Sequence, residues 1–345
     1  MRWPVLLAAL VLAGCAAPPA SVTPGRTTEP SPSSAASHGA SATASPSAID
    51  SPPSTPELTS AELRAAVQVS DIRAHLQELK RIADANGGNR GTGTTGFDAS
   101  VEYFASRLAA AGYEVTRQTF TVGNVPSVNL VVERAGANDE VIMLGAHLDS
   151  VAAGPGINDN GSGVATILVI AERLADLPAP SRTIRLTFWG AEEGGPHGSR
   201  AYVNALSPDE TARIRAYLNF DMLASPNPIR FVYAEAIASA GSDELTALFT
   251  SYFDGEGLAW APIDLEGDSD HGPFIGAAVP TGGLFSGGIE PKTDAQAAAF
   301  GGTAGEPADA CSHQACDTID RINDAILDEM ADAVAHAAAT LASGD

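Results

Sequence analysis

The stretch from Met143 to Gly163, MLGAHLDSVAAGPGINDNGSG, constrains this chain more than any other. An apolar run, Val141-Ile142-Met143-Leu144, leads into His147, Leu148 and Asp149. A glycine-rich turn then delivers Asn158, Asp159 and Asn160, and a helix-like run from Val164 to Leu174 follows Gly161-Ser162-Gly163. The pattern predicts a strand, a loop carrying a histidine and two carboxylates, and a helix start. Imidazole and carboxylate at the end of a buried strand are what a hydrolytic metal site needs.

Other strand ends supply more acids. Thr183 to Trp189 reads as a strand running into Glu192 and Glu193, and Ala216 to Phe220 as one ending at Asp221. Singly, each loop carboxylate is more often solvated surface. Together with His147 and His313 they form a constellation, because in an open α/β sheet the carboxyl ends of the strands make the binding crevice. A two-metal hydrolase needs a bridging carboxylate, terminal ligands and a separate base. His147, Asp159, Glu193, Asp221 and His313 supply the ligands, and Glu192 is left over as the base. With thiolates absent from this set, imidazole and carboxylate favour zinc.

The rest of the chain fits an α/β fold, with a mixed, largely parallel sheet sandwiched between helices. Helical spacing runs through Ile72, His75, Leu76, Leu79 and Ile82, stopped by Asn86-Gly87-Gly88-Asn89, and a second helix fits Phe97 to Ala111. Strands fit Glu114 to Val122, Val128 to Glu133, Glu140 to Leu144, Ile229 to Tyr233 and Gly282 to Phe285. Helices fit Ser199 to Leu206, a segment from Pro208, Ser242 to Phe253 and Asn323 to Leu341, with a long loop before the last. His75, His197 and His336 read as helix, surface or packing residues. Asp270 and His271 read equally as pocket lining or as structural loop.

The N-terminus reads as a targeting segment. Arg2 precedes an apolar run, Val5 to Leu12, too short to span a bilayer. Leu12-Ala13-Gly14-Cys15 resembles a bacterial lipobox, which predicts a signal peptide over 1–15 and lipidation of Cys15. Residues 16–58 are Pro, Ser, Thr and Ala with almost no large apolar side chain, the composition of a disordered tether. The folded domain is then 59–345, and the mature chain is exported, facing outward on its lipid or shed. A net charge of -23 argues against nucleic acid and against binding anionic lipid by surface charge. With Cys15 lipidated, Cys311 and Cys316 remain, and an oxidising compartment favours a disulfide between them. A zinc ligand pair is the alternative, but CxxxxC is not a usual zinc spacing.

The ordered motifs resemble the secreted di-zinc aminopeptidases of the M28 peptidase family, in its Streptomyces-type leucine-preferring branch. They are Asn86-Gly87-Gly88-Asn89-Arg90, GAHLDSV from Gly145, GINDNGSG from Gly156, WGAEE from Trp189, YLNFDM from Tyr217, SDH from Ser269 and FGGTAG from Phe300. The resemblance covers about Ser70 to Leu341. It implies the zinc-dependent exopeptidase fold, peptide substrates, a large apolar N-terminal residue and a monomer. It implies that His147 and Asp221 bind one zinc, Glu193 and His313 the other, and that Asp159 bridges them before a cis peptide. Glu192 is then the general base and Asp149 the residue that holds the ring of His147. Cys311 and Cys316 match a disulfide framing His313.

Two positions depart from the family pattern. Ser312 stands where relatives carry a tyrosine that helps hold the oxyanion, and Asp268 where they carry an arginine. Loss of an oxyanion donor typically costs ~10²–10³-fold in rate. Relatives also bind calcium. Asp328 and Asp332 match two of those acids, one helical turn apart, but Val67 and Gln68 stand near the N-terminal partner's position. A solvated helix face explains the same pair. Runner-up readings are a carboxypeptidase, a glutaminyl cyclase with one zinc, or a weakly active zinc-binding lipoprotein. The missing arginine disfavours the first, the full ligand set the second, and the spare Glu192 the third.

Overall fold

The computed structural model describes residues 57–343. Cys15, the expected signal peptide, the tether through residue 56 and the last two residues lie outside that range. Chain order is α1 (Ser60–Ala66), α2 (Val69–Ala85), α3 (Thr95–Ala110), β1 (Thr116–Val122), β2 (Val125–Arg134), β3 (Val141–His147), α4 (Gly163–Leu174), β4 (Thr183–Trp189), α5 (His197–Ala205) and α6 (Pro208–Arg213). There follow β5 (Ile214–Asp221), β6 (Phe231–Tyr233), α7 (Ser242–Gly255), β7 (Ala261–Ile263), α8 (Gly272–Gly276), β8 (Thr281–Phe285), α9 (Asp294–Phe300) and α10 (Asp324–Ser343).

All eight strands join one sheet in the order β1-β2-β4-β3-β5-β8-β6-β7. The centre is parallel: β3 pairs with β4 and β5, and β5 with β8. The hairpin β1–β2 joins β4 antiparallel, and β6 runs antiparallel to β8. The sheet is therefore mixed and largely parallel, as its alternation with helices predicts.

Alternation along the central strands divides the core. Ile142, Leu144 and Ala146 of β3, with Ala216, Leu218 and Phe220 of β5, join the large core that holds residues of α1–α4, α7 and α10. Val141, Met143, Trp189 and Tyr217 face the other way, with Tyr202 of α5 and Phe274 of α8. A parallel strand buried on both faces has to be apolar on both, which is why β3 reads as a continuous hydrophobic run. Gly145 is required by this second layer: a Cβ there would lie 2.4 Å from Tyr217 Oη and 2.6 Å from Trp189 Nε1. Those two groups are hydrogen-bonded to each other at 2.8 Å.

Some elements carry weaker sequence signals. Helix α1 starts at a capping box between Thr59 and Glu62, and α9 at one between Thr293 and Gln296. The second lies inside the segment expected to be loop. Strand β7 has three residues, too few for its alternating burial to be read from sequence. No helix among the described residues is long and apolar enough to cross a membrane.

Candidate metal centre

Strands β4, β3 and β5 run parallel, so their carboxyl ends meet at one edge of the sheet. His147 ends β3 in register with Trp189 of β4, and Asp221 ends β5. Beyond Trp189 the chain turns through Ala191, at φ 59°, into Glu192 and Glu193. Met222, just after Asp221, has φ 54°, and His313 itself has φ 58°. Non-glycine residues in the left-handed region cost of order 1–3 kcal/mol and persist where surrounding contacts fix them, commonly at functional sites.

The five expected ligands come together. His147 Nε2 lies 3.4 Å from Asp159 Oδ1 and 3.4 Å from Asp221 Oδ1. His313 Nε2 lies 3.2 Å from Asp159 Oδ2 and 3.2 Å from Glu193 Oε2. Asp159 thus faces one histidine with each oxygen, and the donors form two sets that share it. Ligand atoms of His147, Asp159 and Glu193 all lie within 4.8 Å of one another. Glu193 Oε1 and Asp221 Oδ1 are buried without a hydrogen-bond partner. Buried anionic oxygens left unpaired are costly, and a cation beside each would remove that cost. Imidazole and carboxylate donors suit zinc, so the residues present fit that metal.

The electrostatics point the same way. Burial disfavours charge on Glu192 most strongly, and Asp270, Asp221 and Asp149 add repulsion that His147 only partly offsets. Its carboxyl is held well above the usual range. Burial also lifts Glu193, against the opposing contact with His313. Burial acts against a charged His147, but Asp221 and Glu192 outweigh it and raise the imidazole well above normal. Hydrogen bonds to Asp159 and Glu193 push His313 up to about 10. Burial alone would raise Asp159, yet the two histidines hold it far below the carboxylate range.

Asp149 has a different set of contacts from the one the sequence suggests. The ring of His147 meets its carbonyl, Nδ1 to O at 3.2 Å, while Oδ1 is 3.7 Å from Nδ1. The carboxylate instead accepts the main-chain N–H of Glu192 at 3.0 Å, that of Glu193 at 3.4 Å and the Thr92 hydroxyl at 3.2 Å. It therefore anchors the loop that presents both glutamates.

Further contacts support the site, and two of the residues making them, Asp309 and Asp317, carry no sequence signal. Asp317 accepts the N–H groups of Asn158 and Asp159 at 2.7 and 3.0 Å. Asn158 Nδ2 donates to Asp309 Oδ2 at 2.7 Å. Asn160 Nδ2 donates to the carbonyl of Phe220 at 2.8 Å, joining the bridging turn to β5 next to Asp221. The Asp159–Asn160 peptide is cis. Ser269 Oγ donates to Asp221 Oδ2 at 3.0 Å. Cys311 and Cys316 are disulfide-bonded, with Cα atoms 5.2 Å apart, and enclose Ser312 and His313. Ser312 is buried and donates to Asp159 Oδ2 at 3.2 Å.

A cavity of ≈ 420 Å³ opens beside the donors. Met222, Ile263, Leu265, Phe285 and Ile289 give it apolar walls, and Asp268 and Glu290 lie on its lining. His313, with 60% of its side chain exposed, lies at the open side. Asp270 and His271 are fully buried and absent from that lining. His271 pairs with Glu235 at 3.3 Å, which makes it part of the loop's internal structure. Burial pushes Asp270 up to about 7. Among the other histidines, His75 bonds Tyr103 at 2.7 Å, His336 stacks on Tyr252, and His197 lies against the Gly194 carbonyl. Asp332 receives Arg64 at 3.3 Å, so a guanidinium already lies against one of the two acids proposed for calcium.

Known proteins resemble this chain in sequence and in fold. A family model described as Peptidase family M28 matches residues 129–338. Leupeptin-inactivating enzyme 1 of Streptomyces exfoliatus is 44% identical over 308 residues, 88% of this chain and 66% of that protein. Probable lipoprotein aminopeptidase LpqL of Mycobacterium tuberculosis is 42% identical over 231 residues, 64% of this chain and 45% of that protein. The chain thus spans less than two thirds of the length of either relative. An aminopeptidase from Aneurinibacillus sp. strain AM-1 has the same fold, with TM-score 0.67 at 17% identity, over 81% of this chain and 95% of that one.

Proposed function

The chain belongs to peptidase family M28, and from that premise we propose that it is an exported zinc aminopeptidase releasing a large apolar N-terminal residue from peptides. The observation that carries this reading is the position of Asp159 between His147 and His313. One carboxylate facing two ligand sets is the arrangement a pair of zinc ions requires. His147 and Asp221 would hold one ion, Glu193 and His313 the other, with Asp159 between.

Bound there, two zinc ions would polarise the scissile carbonyl and bring the pKa of an attacking water toward ~7. The protein's own part is proton handling and placement. Glu192, on the cavity wall and outside both ligand sets, takes the proton from the attacking water and returns it to the departing amine. Asp149 fixes the main chain of Glu192 and Glu193, so base and ligand cannot drift apart. The apolar walls at Ile263, Leu265 and Phe285 receive the N-terminal side chain. The cavity lining contains no lysine or arginine, which leaves a C-terminal carboxylate without a partner and disfavours carboxypeptidase action. A lipid on Cys15 and a monomeric state belong to the same proposal, whereas the Arg64 guanidinium against Asp332 favours a solvated helix face over calcium there. Loss of aminopeptidase activity on chelation, with recovery on zinc, is the first test.

A further inference from the structure

Arg90 belongs to a motif that the chemistry above does not use. Its side chain is fully buried, and burial lowers its pKa to about 10. Among the described residues it has no carboxylate partner within ion-pair distance. All three nitrogens of the fork go to carbonyls of one loop. Nε donates to Pro155 O at 2.8 Å, Nη2 to Gly156 O at 2.6 Å, and Nη1 to Leu148 O. Its main-chain N–H donates to Ser150 Oγ at 2.9 Å. Leu148 directly follows His147, and Gly156 lies three residues before Asp159. One guanidinium therefore ties together both ends of the loop joining a terminal ligand to the bridging one.

The loop is shaped for this contact. Gly156 has φ 60°, and a Cβ there would lie 2.5 Å from Ser150 Cβ and 3.2 Å from Arg90 Nη2. Gly154 packs against the carbonyl of Gln314, next to His313. Three simultaneous donors in a fixed plane are specific to arginine, since a lysine ammonium is a single point that cannot span these carbonyls. Residues that orient metal ligands commonly change metal affinity or activity by about 10–100-fold when removed.

We propose that Arg90 is a positioning residue for the metal pair, closing the 148–156 loop so that His147 and Asp159 are set at their working separation before a cation arrives. This rests on the zinc reading above. The test uses the full chain and zinc alone as the probe, with affinity measured by competition against a chromogenic chelator and Tm measured without metal. Arg90→Lys and Arg90→Met are both expected to weaken zinc binding by about 10–100-fold, without rescue by lysine. Leu108→Ala, a core change on α3, supplies a Tm-lowered control that keeps wild-type zinc affinity. Wild-type zinc affinity in Arg90→Lys overturns the inference, as does a loss no larger than that of the control at equal Tm. Should neither Arg90 variant fold, Ser150→Ala removes the acceptor of the Arg90 N–H. It is then expected to weaken zinc binding in the same direction, and unchanged affinity overturns the inference. Failure of the unmutated chain to bind zinc sinks the zinc reading itself, and this inference with it.

Discussion

The Asp149 carboxylate accepts the main-chain N–H of Glu192 at 3.0 Å. A residue two positions beyond one ligand thereby sets the backbone that presents the proposed base. Asp149→Ala is expected to lower kcat by about 10–100-fold while zinc content stays near that of the unmutated protein. Steady-state kinetics beside metal analysis checks this. A fall in zinc content matching the fall in kcat would assign Asp149 to metal retention instead.

Zinc binding is expected to release protons. Without metal, His313 is pushed up to about 10 by Asp159 and Glu193, and Asp221 and Glu192 hold a proton on buried His147. Zinc takes only the neutral ring. The sign follows: a raised pKa means the proton is present at neutrality and has to leave, so affinity rises with pH well past 7. Calorimetry in buffers of different ionisation enthalpy should show release of about two protons per chain at pH 7. Zinc affinity independent of pH between 6 and 8 would contradict it.

The Ser312 hydroxyl reaches the Asp159 carboxylate at 3.2 Å, and the family resemblance implies that a longer donor at this position would face the oxyanion. Ser312→Tyr is expected to raise kcat on leucine p-nitroanilide, by up to ~10²-fold if the phenol reaches the oxyanion. An unchanged or lower kcat would indicate that contact with Asp159 matters more than the missing donor.

Asp268 and Glu290 lie on the cavity lining, which holds no lysine or arginine among the described residues. Acidic N-terminal residues should therefore be poor substrates and lysine a better one than its neutral equivalents. Both carboxylates are exposed, so the effect is modest, and Asp268→Arg should lower the lysine-to-glutamate ratio of kcat/KM by about fivefold. An unmoved ratio would place the selecting groups elsewhere.

The sheet is legible because it depends on strongly patterned residues, and the five proposed ligands are brought together at its edge. Buried parallel strands are continuous apolar runs, and two of the central ones, β3 and β5, end in His147 and Asp221 at the crevice edge. What stayed hidden acts through main-chain atoms. Asp317 gripping two N–H groups of the bridging turn, Arg90 closing the ligand loop on carbonyls, and the true partners of Asp149 depend on three-dimensional closure that no spacing reports. Strand β7 and helix α9 lie outside the sequence expectations for a simpler reason, being three and seven residues long, too short for a period to stand out.

The measurement that bears most directly on the central claim combines zinc counting with substrate choice. The purified chain is loaded with zinc and assayed on leucine p-nitroanilide and its N-acetyl derivative, beside Glu192→Gln. The account predicts two zinc ions per chain, cleavage of the free-amine substrate alone, and a loss of about 10²–10⁴-fold in Glu192→Gln. Cleavage of the acetylated substrate, a single zinc per chain, or no metal-dependent cleavage would contradict it.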